Sequence, residues 1–170
     1  MKKSLKLRPT CGRTPISPSP GSSSVFQQPE LIATLRDVLV SLARKIEPPV
    51  ECVVGLDARG FLLGPFVSLE LQIPFVPIRK KGKLPGKTLS AQYALEYGHD
   101  TIEIQENSIR RGQRVLLVDD LLATGGSLGA ACQLVRGLGG EVASCLVLME
   151  LGALKGREKV PADVVSVIQY

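Results

Sequence analysis

The sequence predicts an α/β domain built on a mostly parallel β-sheet flanked by helices. Short apolar runs typical of buried strands alternate with longer segments whose apolar residues recur at helical spacing. One run, residues 115–118, passes through a loop of small residues directly into a helical pattern, which is the connection expected in sheets of this class. At 170 residues, 44% of them hydrophobic, the chain is long enough for one domain with its own core.

The first 24 residues differ from the rest of the chain. They are rich in Pro, Ser and Gly and offer little apolar surface for burial, so we expect them to be disordered and the folded domain to cover residues 25–170. The first helix is expected between Pro29 and Pro48, because apolar side chains recur there at helical spacing, namely Leu31, Leu35, Val38, Leu42 and Ile46.

The remaining elements follow from apolar runs, helical spacing and breaks at glycine or proline. Strands are expected at residues 52–56, 75–78, 93–97, 101–104, 115–118, 142–148 and 164–168, and helices at 60–71 and 127–138. Pro65 marks either a kink in its helix or a later start. Residues 79–87 are basic and glycine-rich and predict a long mobile loop, and residues 98–100 predict a turn that leaves His99 exposed.

The net charge of +5 does not indicate a nucleic-acid-binding surface. The excess lies in the first 24 residues, whereas sixteen basic residues balance sixteen acidic ones from residue 25 onward. No run approaches the ~20 consecutive apolar residues that a membrane span requires. The four cysteines lack metal-ligand spacing. Cys52, Cys132 and Cys145, but not Cys11, lie in apolar patterns, so we expect them to be core residues of a protein in a reducing compartment.

The most informative segment is Val115–Ser127, in which an apolar strand runs into two adjacent acids and then a loop of small residues that opens a helix. Ligands of open α/β sheets bind beyond the carboxyl ends of the strands. Asp119 and Asp120 would repel a phosphate but can accept hydrogen bonds from a vicinal diol. The loop can offer a phosphate its backbone N–H groups, hydroxyls and the helix N-terminus, through Ala123, Thr124, Gly125, Gly126 and Ser127. The segment therefore predicts a site for ribose 5-phosphate.

Two other interpretations of this segment remain open. Paired acids after a strand also occur at magnesium sites and in the second motif of P-loop NTPases. The nearest candidate for the first motif of that class, Gly82–Thr88, has three residues between its glycines instead of four. A purely structural strand–turn–helix is the other interpretation, although two adjacent carboxylates are unusual in a buried turn.

Val115–Ser127 closely resembles the phosphoribosyl pyrophosphate (PRPP) motif of type I phosphoribosyltransferases. Residues 55–61, 78–86, 95–98 and 154–158 are similar to segments of adenine phosphoribosyltransferases, in the same order and at near-family spacing. The resemblance covers about residues 25–170 and implies the type I phosphoribosyltransferase fold. It implies a purine-salvage enzyme that joins adenine to the ribose of PRPP, giving AMP and pyrophosphate. It also implies a cytoplasmic homodimer that uses Mg²⁺, without a nucleic-acid or membrane partner.

The same resemblance assigns the pyrophosphate site and the lid. Arg59 offers a guanidinium fork for phosphate oxygens, and the alternative, open without the family match, is a surface arginine at a helix start. The basic run would be a lid that excludes water and stabilises the leaving charge. The implied pyrophosphate contacts are Asp57, Ala58, Arg59, Arg79, Lys80 and Lys83, with Tyr97 at the far end of the lid.

Glu96 resembles the acid/base residue of the family. Adenine attacks the anomeric carbon through N9 and must lose a ring proton, which a carboxylate near N7 or N9 can accept. Mg²⁺ would bridge pyrophosphate and ribose oxygens, with no direct protein ligand expected. Outside the family context Glu96 would be an exposed strand glutamate, and Tyr93 and Tyr97 could be simple sheet packing.

The N-terminal segment departs from the family. Members typically carry Phe-Pro-x-x-Pro-Gly-x-x-Phe-Arg-Asp-Ile before the first helix as a hood over adenine, whereas residues 16–24 have no Arg or Asp at the corresponding places. This degraded hood leaves a second function open, a weakly active or inactive chain that binds PRPP or AMP. A third function is transfer to another purine such as xanthine, which the close match around Glu96 disfavours.

Overall fold

The computed structural model describes residues 25–94 and 98–170. Their strands are β1 (Cys52–Leu56), β2 (Phe75–Lys80), β3 (Thr88–Ala94), β4 (His99–Gln105), β5 (Arg114–Leu122), β6 (Glu141–Glu150) and β7 (Val164–Gln169). Their α-helices are α1 (Pro29–Ala43), α2 (Gly60–Leu71) and α3 (Gly126–Gly137). Short 3-10 helices occupy Val25–Gln27, Gly152–Leu154 and Gly156–Lys159. The predictions for residues 1–24, for Glu96 and for Tyr97 lie outside the described residues.

The described strands form one mostly parallel sheet, as predicted, in the order β3-β4-β2-β1-β5-β6-β7. β1 pairs in parallel with β2 and β5, and β6 pairs in parallel with β5 and β7. β3 and β4 form an antiparallel pair at one edge, and β4 is also antiparallel to β2. Because β1 and β5 are parallel neighbours, the loops that lead from them into α2 and α3 begin at the same edge of the sheet.

Helices cover both faces of this sheet. Successive side chains of a strand point to opposite faces, so neighbouring residues of β1 serve different cores. Val53 belongs to the cluster formed with α1 and α2, which includes Leu39 and Leu63. Val54 belongs to the cluster formed with α3, which includes Leu128. No helix within residues 25–94 and 98–170 is long and apolar enough to cross a membrane.

The three cysteines that the structure describes are core residues, as predicted. Cys52, Cys132 and Cys145 are buried and carry free thiols. Burial raises the pKa of Cys52 to about 11, so this thiol is protonated and unreactive at neutral pH.

The predicted boundaries of the basic loop were wrong. Arg79 and Lys80 belong to β2, because they pair with Glu103 and Ile102 of β4. The connection between β2 and β3 is therefore residues 81–87, shorter than the predicted 79–87. Sequence composition could not reveal this pairing, since the basic side chains lie on strand positions that are partly open to solvent.

Three other boundaries move because strands pair further than their apolar runs indicate. β5 continues through Asp119 and Asp120 to Leu122 alongside β6, so the two acids lie within a strand instead of following it. β3 begins at Thr88, since it pairs with β4 along its whole length. His99 is exposed, as expected, but lies in β4 opposite Ala94 and not in a turn.

Candidate active site

Two adjacent aspartates with different environments lie at the carboxyl edge of the sheet. Asp119 is buried, whereas Asp120 is partly exposed. The Asp120 backbone N–H donates to Asp119 Oδ1 at 2.8 Å. Burial has the largest effect on Asp119 and raises its pKa to about 8, and the neighbouring Asp120 charge acts in the same direction. Asp119 is therefore mostly protonated at neutral pH, and its carboxyl group can both accept and donate a hydrogen bond.

The loop after β5 has the geometry of an anion site. Gly125 is the N-cap residue of α3 and has a φ of 82°, a left-handed conformation that favours glycine. Glycine has no side chain that could cap the first turn, so the N–H groups of that turn can serve a ligand. Thr124 is exposed and Ser127 half-buried, and both carry hydroxyl donors. We call residues 123–127 the phosphate loop from here on.

The backbone of the phosphate loop packs directly against another glycine. A Cβ added at Gly125 would lie 2.2 Å from the Gly156 carbonyl oxygen, and one added at Gly156 would lie 2.1 Å from the Ala123 carbonyl oxygen. Both distances are far below a van der Waals contact, so neither position has room for a side chain. The loop also borders β3, because a Cβ at Gly126 would lie 3.1 Å from Tyr93 Cδ2.

The loop between β1 and α2 reaches the same two aspartates. Arg59 Nε lies 2.7 Å from Asp120 Oδ2, with the arginine side chain 51% exposed and the aspartate side chain 12% exposed. The Asp57–Ala58 peptide bond in this loop is cis. Gly60 brings the start of α2 close to β5, since a Cβ there would lie 2.5 Å from the Val118 carbonyl oxygen. Arg59, assigned to pyrophosphate by resemblance, thus contacts an acid assigned to ribose.

Two further basic residues assigned to pyrophosphate also contact aspartates. Arg79 Nε lies 3.3 Å from Asp57 Oδ2, and Arg79 Nη1 donates to the Lys83 carbonyl oxygen at 3.2 Å. Lys80 Nζ lies 3.1 Å from Asp100 Oδ2. Its ammonium and the Thr101 N–H hold the pKa of Asp100 below the ordinary range of an aspartate. Arg79 therefore contacts the loop that contains Asp57, whereas Lys80 contacts β4. Lys83 takes part through its backbone carbonyl, which accepts the hydrogen bond from Arg79.

A buried glutamate that sequence reasoning did not assign holds the basic loop. Glu103 is 4% exposed, and its Oε1 accepts the N–H groups of Gly82 at 3.0 Å and Leu84 at 3.2 Å. Its Oε2 accepts the Thr88 hydroxyl at 3.2 Å. One carboxylate thus connects the two ends of residues 81–87. The available sequence signal was an acid between Ile102 and Ile104 in a strand, since a buried carboxylate requires hydrogen-bond donors.

Tyr93 and Asp100 connect this loop region to the phosphate loop. The Tyr93 hydroxyl donates to Asp100 Oδ2 at 3.2 Å, the same oxygen that pairs with Lys80. Burial and the Asp100 charge raise the pKa of Tyr93, so the phenol stays protonated. Tyr93 therefore makes a specific polar contact as well as packing in the sheet. β3 ends at Ala94 beside Gly126, and residues 95–97, with the predicted Glu96 and Tyr97, are outside the described chain.

Comparisons with known proteins agree with this geometry. The family model described as "Phosphoribosyl transferase domain" matches residues 21–169, which include every described strand and the phosphate loop, so the chain belongs to the phosphoribosyltransferase class. The adenine phosphoribosyltransferase of Drosophila pseudoobscura pseudoobscura is 53% identical over 142 residues, 84% of this chain and 78% of the relative. The chain belongs to the adenine phosphoribosyltransferase family.

Solved structures of the family have the same fold. Adenine phosphoribosyltransferase from Saccharomyces cerevisiae, complexed with an imino-altritol bisphosphate and adenine, is 44% identical with a TM-score of 0.80, covering 84% of this chain and 82% of that one. The Trypanosoma brucei enzyme, in complex with AMP, pyrophosphate and ribose-5-phosphate, is 30% identical with a TM-score of 0.81, covering 88% and 68%. The type I phosphoribosyltransferase fold predicted from the sequence is thereby confirmed.

Proposed function

We propose that this chain transfers the phosphoribosyl group of PRPP to adenine, giving AMP and pyrophosphate in purine salvage. The observation that carries the proposal is the pair Asp119 and Asp120 beside a glycine loop at the N-terminus of α3. Donors for a phosphate monoester and acceptors for a vicinal diol lie a few residues apart at the edge where α/β sheets bind ligands. Its relatives are pentosyltransferases, and two of them were crystallised with adenine or AMP.

The ribose 5-phosphate end of the substrate occupies the phosphate loop. The first-turn N–H groups and the hydroxyls of Thr124 and Ser127 donate to the phosphate. The two ribose hydroxyls donate to Asp119 and Asp120, and the Asp120 charge also stabilises the positive character that develops at the anomeric carbon.

Pyrophosphate binds where the basic residues now pair with aspartates. When ribose hydroxyls bind Asp120, the Arg59 guanidinium turns from Asp120 to the pyrophosphate oxygens. Arg79 likewise turns from Asp57 to the pyrophosphate oxygens. The two halves of PRPP therefore assist each other's binding, because the ribose takes Asp120 away from Arg59 and the pyrophosphate takes Arg59 away from Asp120. The remaining contacts are the Asp57–Ala58 backbone, Lys80 and Lys83.

Glu96 accepts the proton that adenine loses as N9 attacks, and the basic loop with Tyr97 closes over the site to exclude water. Mg²⁺ suits this site, since it binds through one or two carboxylates, substrate phosphates and waters. Asp119 and Asp120 are oxygen donors of this type and are the residues that would hold the ion, by way of the ribose hydroxyls. When bound, the ion offsets the charge of the leaving pyrophosphate.

We also infer a cytoplasmic homodimer. α2 is largely apolar, yet Leu62 and Leu69, which share a helix face with half-buried Phe66, are 49% and 76% exposed. A second copy of the chain would cover this face. The buried free thiols of Cys52, Cys132 and Cys145 suit a reducing compartment.

The direct test is formation of AMP and pyrophosphate from adenine, PRPP and Mg²⁺ by the full chain, followed by chromatography. We expect turnover with adenine, none with xanthine, and a loss of at least about a hundredfold in kcat for Glu96→Gln. Binding of PRPP in a calorimetric titration without turnover would instead support the alternative of an inactive binding protein. If the full chain neither binds PRPP nor forms AMP, the proposed site is wrong.

A further inference from the structure

Residues 154–158 resemble the family, but the proposed reaction gives them no role. Their central residue, Gly156, is buried and packs on the phosphate loop backbone. A Cβ at Gly156 would lie 2.1 Å from the Ala123 carbonyl oxygen and 2.9 Å from the Gly125 nitrogen. The segment continues along the start of α3, where a Cβ at Gly129 would lie 3.2 Å from the Lys159 carbonyl oxygen. Residues 156–159 thus form the surface on which the phosphate loop rests.

This supporting segment is fastened by one buried carboxylate at the end of β6. Glu150 is 7% exposed, and its two oxygens accept Arg157 Nε at 3.0 Å and Nη2 at 2.6 Å. Arg157 Nη1 also donates to the Val164 carbonyl oxygen of β7. The same Glu150 carboxylate accepts the Ser166 hydroxyl at 2.8 Å and Gln169 Nε2 at 3.0 Å. A two-pronged arginine pair of this kind fixes both position and orientation.

We propose that Glu150 and Arg157 are positioning residues for phosphate binding, because they hold Gly156 where it sets the backbone of the phosphate loop. Neither side chain needs to touch the ligand. The N–H groups of residues 123–125 keep one arrangement as long as the Gly156 backbone stays in place. The two backbones are so close that neither can shift toward the other. Preorganised donors bind an anion more tightly than donors that must be ordered on binding. The proposal rests on the proposed function, since it concerns the phosphate of the same substrate.

The Glu150 carboxylate does not titrate in the neutral range. The Arg157 guanidinium, and then the Ser166 and Gln169 donors, lower its pKa to about 2. The support therefore stays in place at every pH at which the enzyme is assayed. A phosphate affinity that changed between pH 6 and pH 9 would therefore not come from Glu150.

The test compares AMP with adenosine, which differ by the phosphate alone. In calorimetric titrations we expect Arg157→Met to weaken AMP binding at least about tenfold, as loss of supporting partners does at other preorganised sites, and to leave adenosine binding within about twofold. The KM for PRPP should rise more than kcat falls. Glu150→Gln should act in the same direction, and Gly156→Ala should reproduce the selective loss by displacing Ala123.

The matched control is Arg114→Met. Arg114 also pairs with a glutamate, Glu51, and donates to a backbone carbonyl, that of Pro49, but at the opposite end of β5. We expect a comparable fall in Tm without a change in the ratio of AMP to adenosine affinity. If Arg157→Met does not fold, Arg157→Lys keeps the charge but not the fork, and a smaller selective loss is expected.

Equal losses for AMP and adenosine, or an unchanged AMP affinity in folded Arg157 and Gly156 variants, would overturn the positioning role. The proposed function would be overturned by a different result, namely that the unmodified chain does not bind AMP.

Discussion

At the scale of single residues, the two adjacent aspartates lie in different surroundings. Asp119 is buried and its pKa is raised to about 8, whereas Asp120 is partly exposed and paired with Arg59. Burial therefore favours the neutral form of Asp119 and limits the repulsion between the two neighbouring carboxyl groups. Burying this carboxyl group is unfavourable, and strongly perturbed carboxyl groups of this kind are frequent at functional sites.

We expect Asp119→Asn to stabilise the ligand-free protein. The folded pKa of about 8 lies above the ordinary aspartate value of 3.8, so the folded state binds more protons between these values, and the contribution of this group to stability falls as pH rises from about 4 to 8. Asparagine removes that dependence. The gain at pH 8 should be at least about 1.4 kcal/mol, the free energy of one pKa unit, in urea unfolding monitored by circular dichroism.

Asp120→Asn is the control for this measurement. It removes a partner of a half-exposed arginine, so a small loss of stability is expected, and most of the pH dependence should remain because burial is its largest cause. If Asp119→Asn and the unmodified protein had parallel stability curves from pH 5 to pH 9, Asp119 would not be the buried acid described above.

At the scale of elements, the connections at the carboxyl edge of the sheet are held by contacts with segments distant in the chain. The phosphate loop rests on residues 156–159, the Asp57 loop contacts Asp120 of β5 through Arg59, and residues 81–87 are held by Glu103 of β4. The shapes of these loops depend on those segments, because at two of the contacts the backbones lie so close that only a glycine, which has no Cβ, fits between them.

Gly125→Ala should weaken AMP binding at least about tenfold. The left-handed φ of 82° costs an alanine about 1 kcal/mol, and the new Cβ would also collide with the Gly156 carbonyl. Gly112→Ala is the matched control, since Gly112 has a φ of 73° but open space around it. Both variants should lose stability from backbone strain in a thermal melt, with the larger loss in Gly125→Ala because of the collision, and equal AMP affinities in the two would contradict the close contact.

Glu103→Ala should loosen the basic loop. It leaves the Gly82 and Leu84 N–H groups and the Thr88 hydroxyl without their acceptor, which costs about 1–3 kcal/mol in stability. We expect faster tryptic cleavage after Lys81, Lys83 or Lys87, measured by mass spectrometry, and a higher KM for PRPP. Gln105→Ala, which removes only an exposed contact with the Pro85 carbonyl, is the control. Equal cleavage rates in the two variants would argue against an anchoring role.

At the scale of the whole molecule, the strand order decides which residues meet. β1 and β5 are far apart in sequence, yet they pair in parallel, with Val54 opposite Leu117, so that Arg59 reaches Asp120. The same order leaves α2 on an outer layer with two exposed leucines. A surface of this kind is expected to be covered in an oligomer.

Sedimentation velocity should show a dimer that Leu69→Lys converts to monomer, because the charge would be buried against the second copy. Ile168→Lys replaces another exposed apolar residue, 41% accessible, on the edge strand β7 and should leave the dimer intact. A wild-type protein that sediments as a monomer at micromolar concentration would contradict the inferred homodimer, and a dimeric Leu69→Lys variant would place the interface elsewhere.

The local sequence determined the elements and the chemistry of the central segment, because apolar periodicity and the run Val115–Ser127 are properties of neighbouring residues. It therefore predicted the parallel sheet, the core cysteines and the acids next to a glycine loop. Only the tertiary structure decided that Arg59 pairs with Asp120, that Glu103 holds the basic loop, and that Gly156 supports Gly125. Each of these contacts joins residues distant in sequence, and hydrogen bonds and backbone packing between distant segments leave no periodic pattern in either segment.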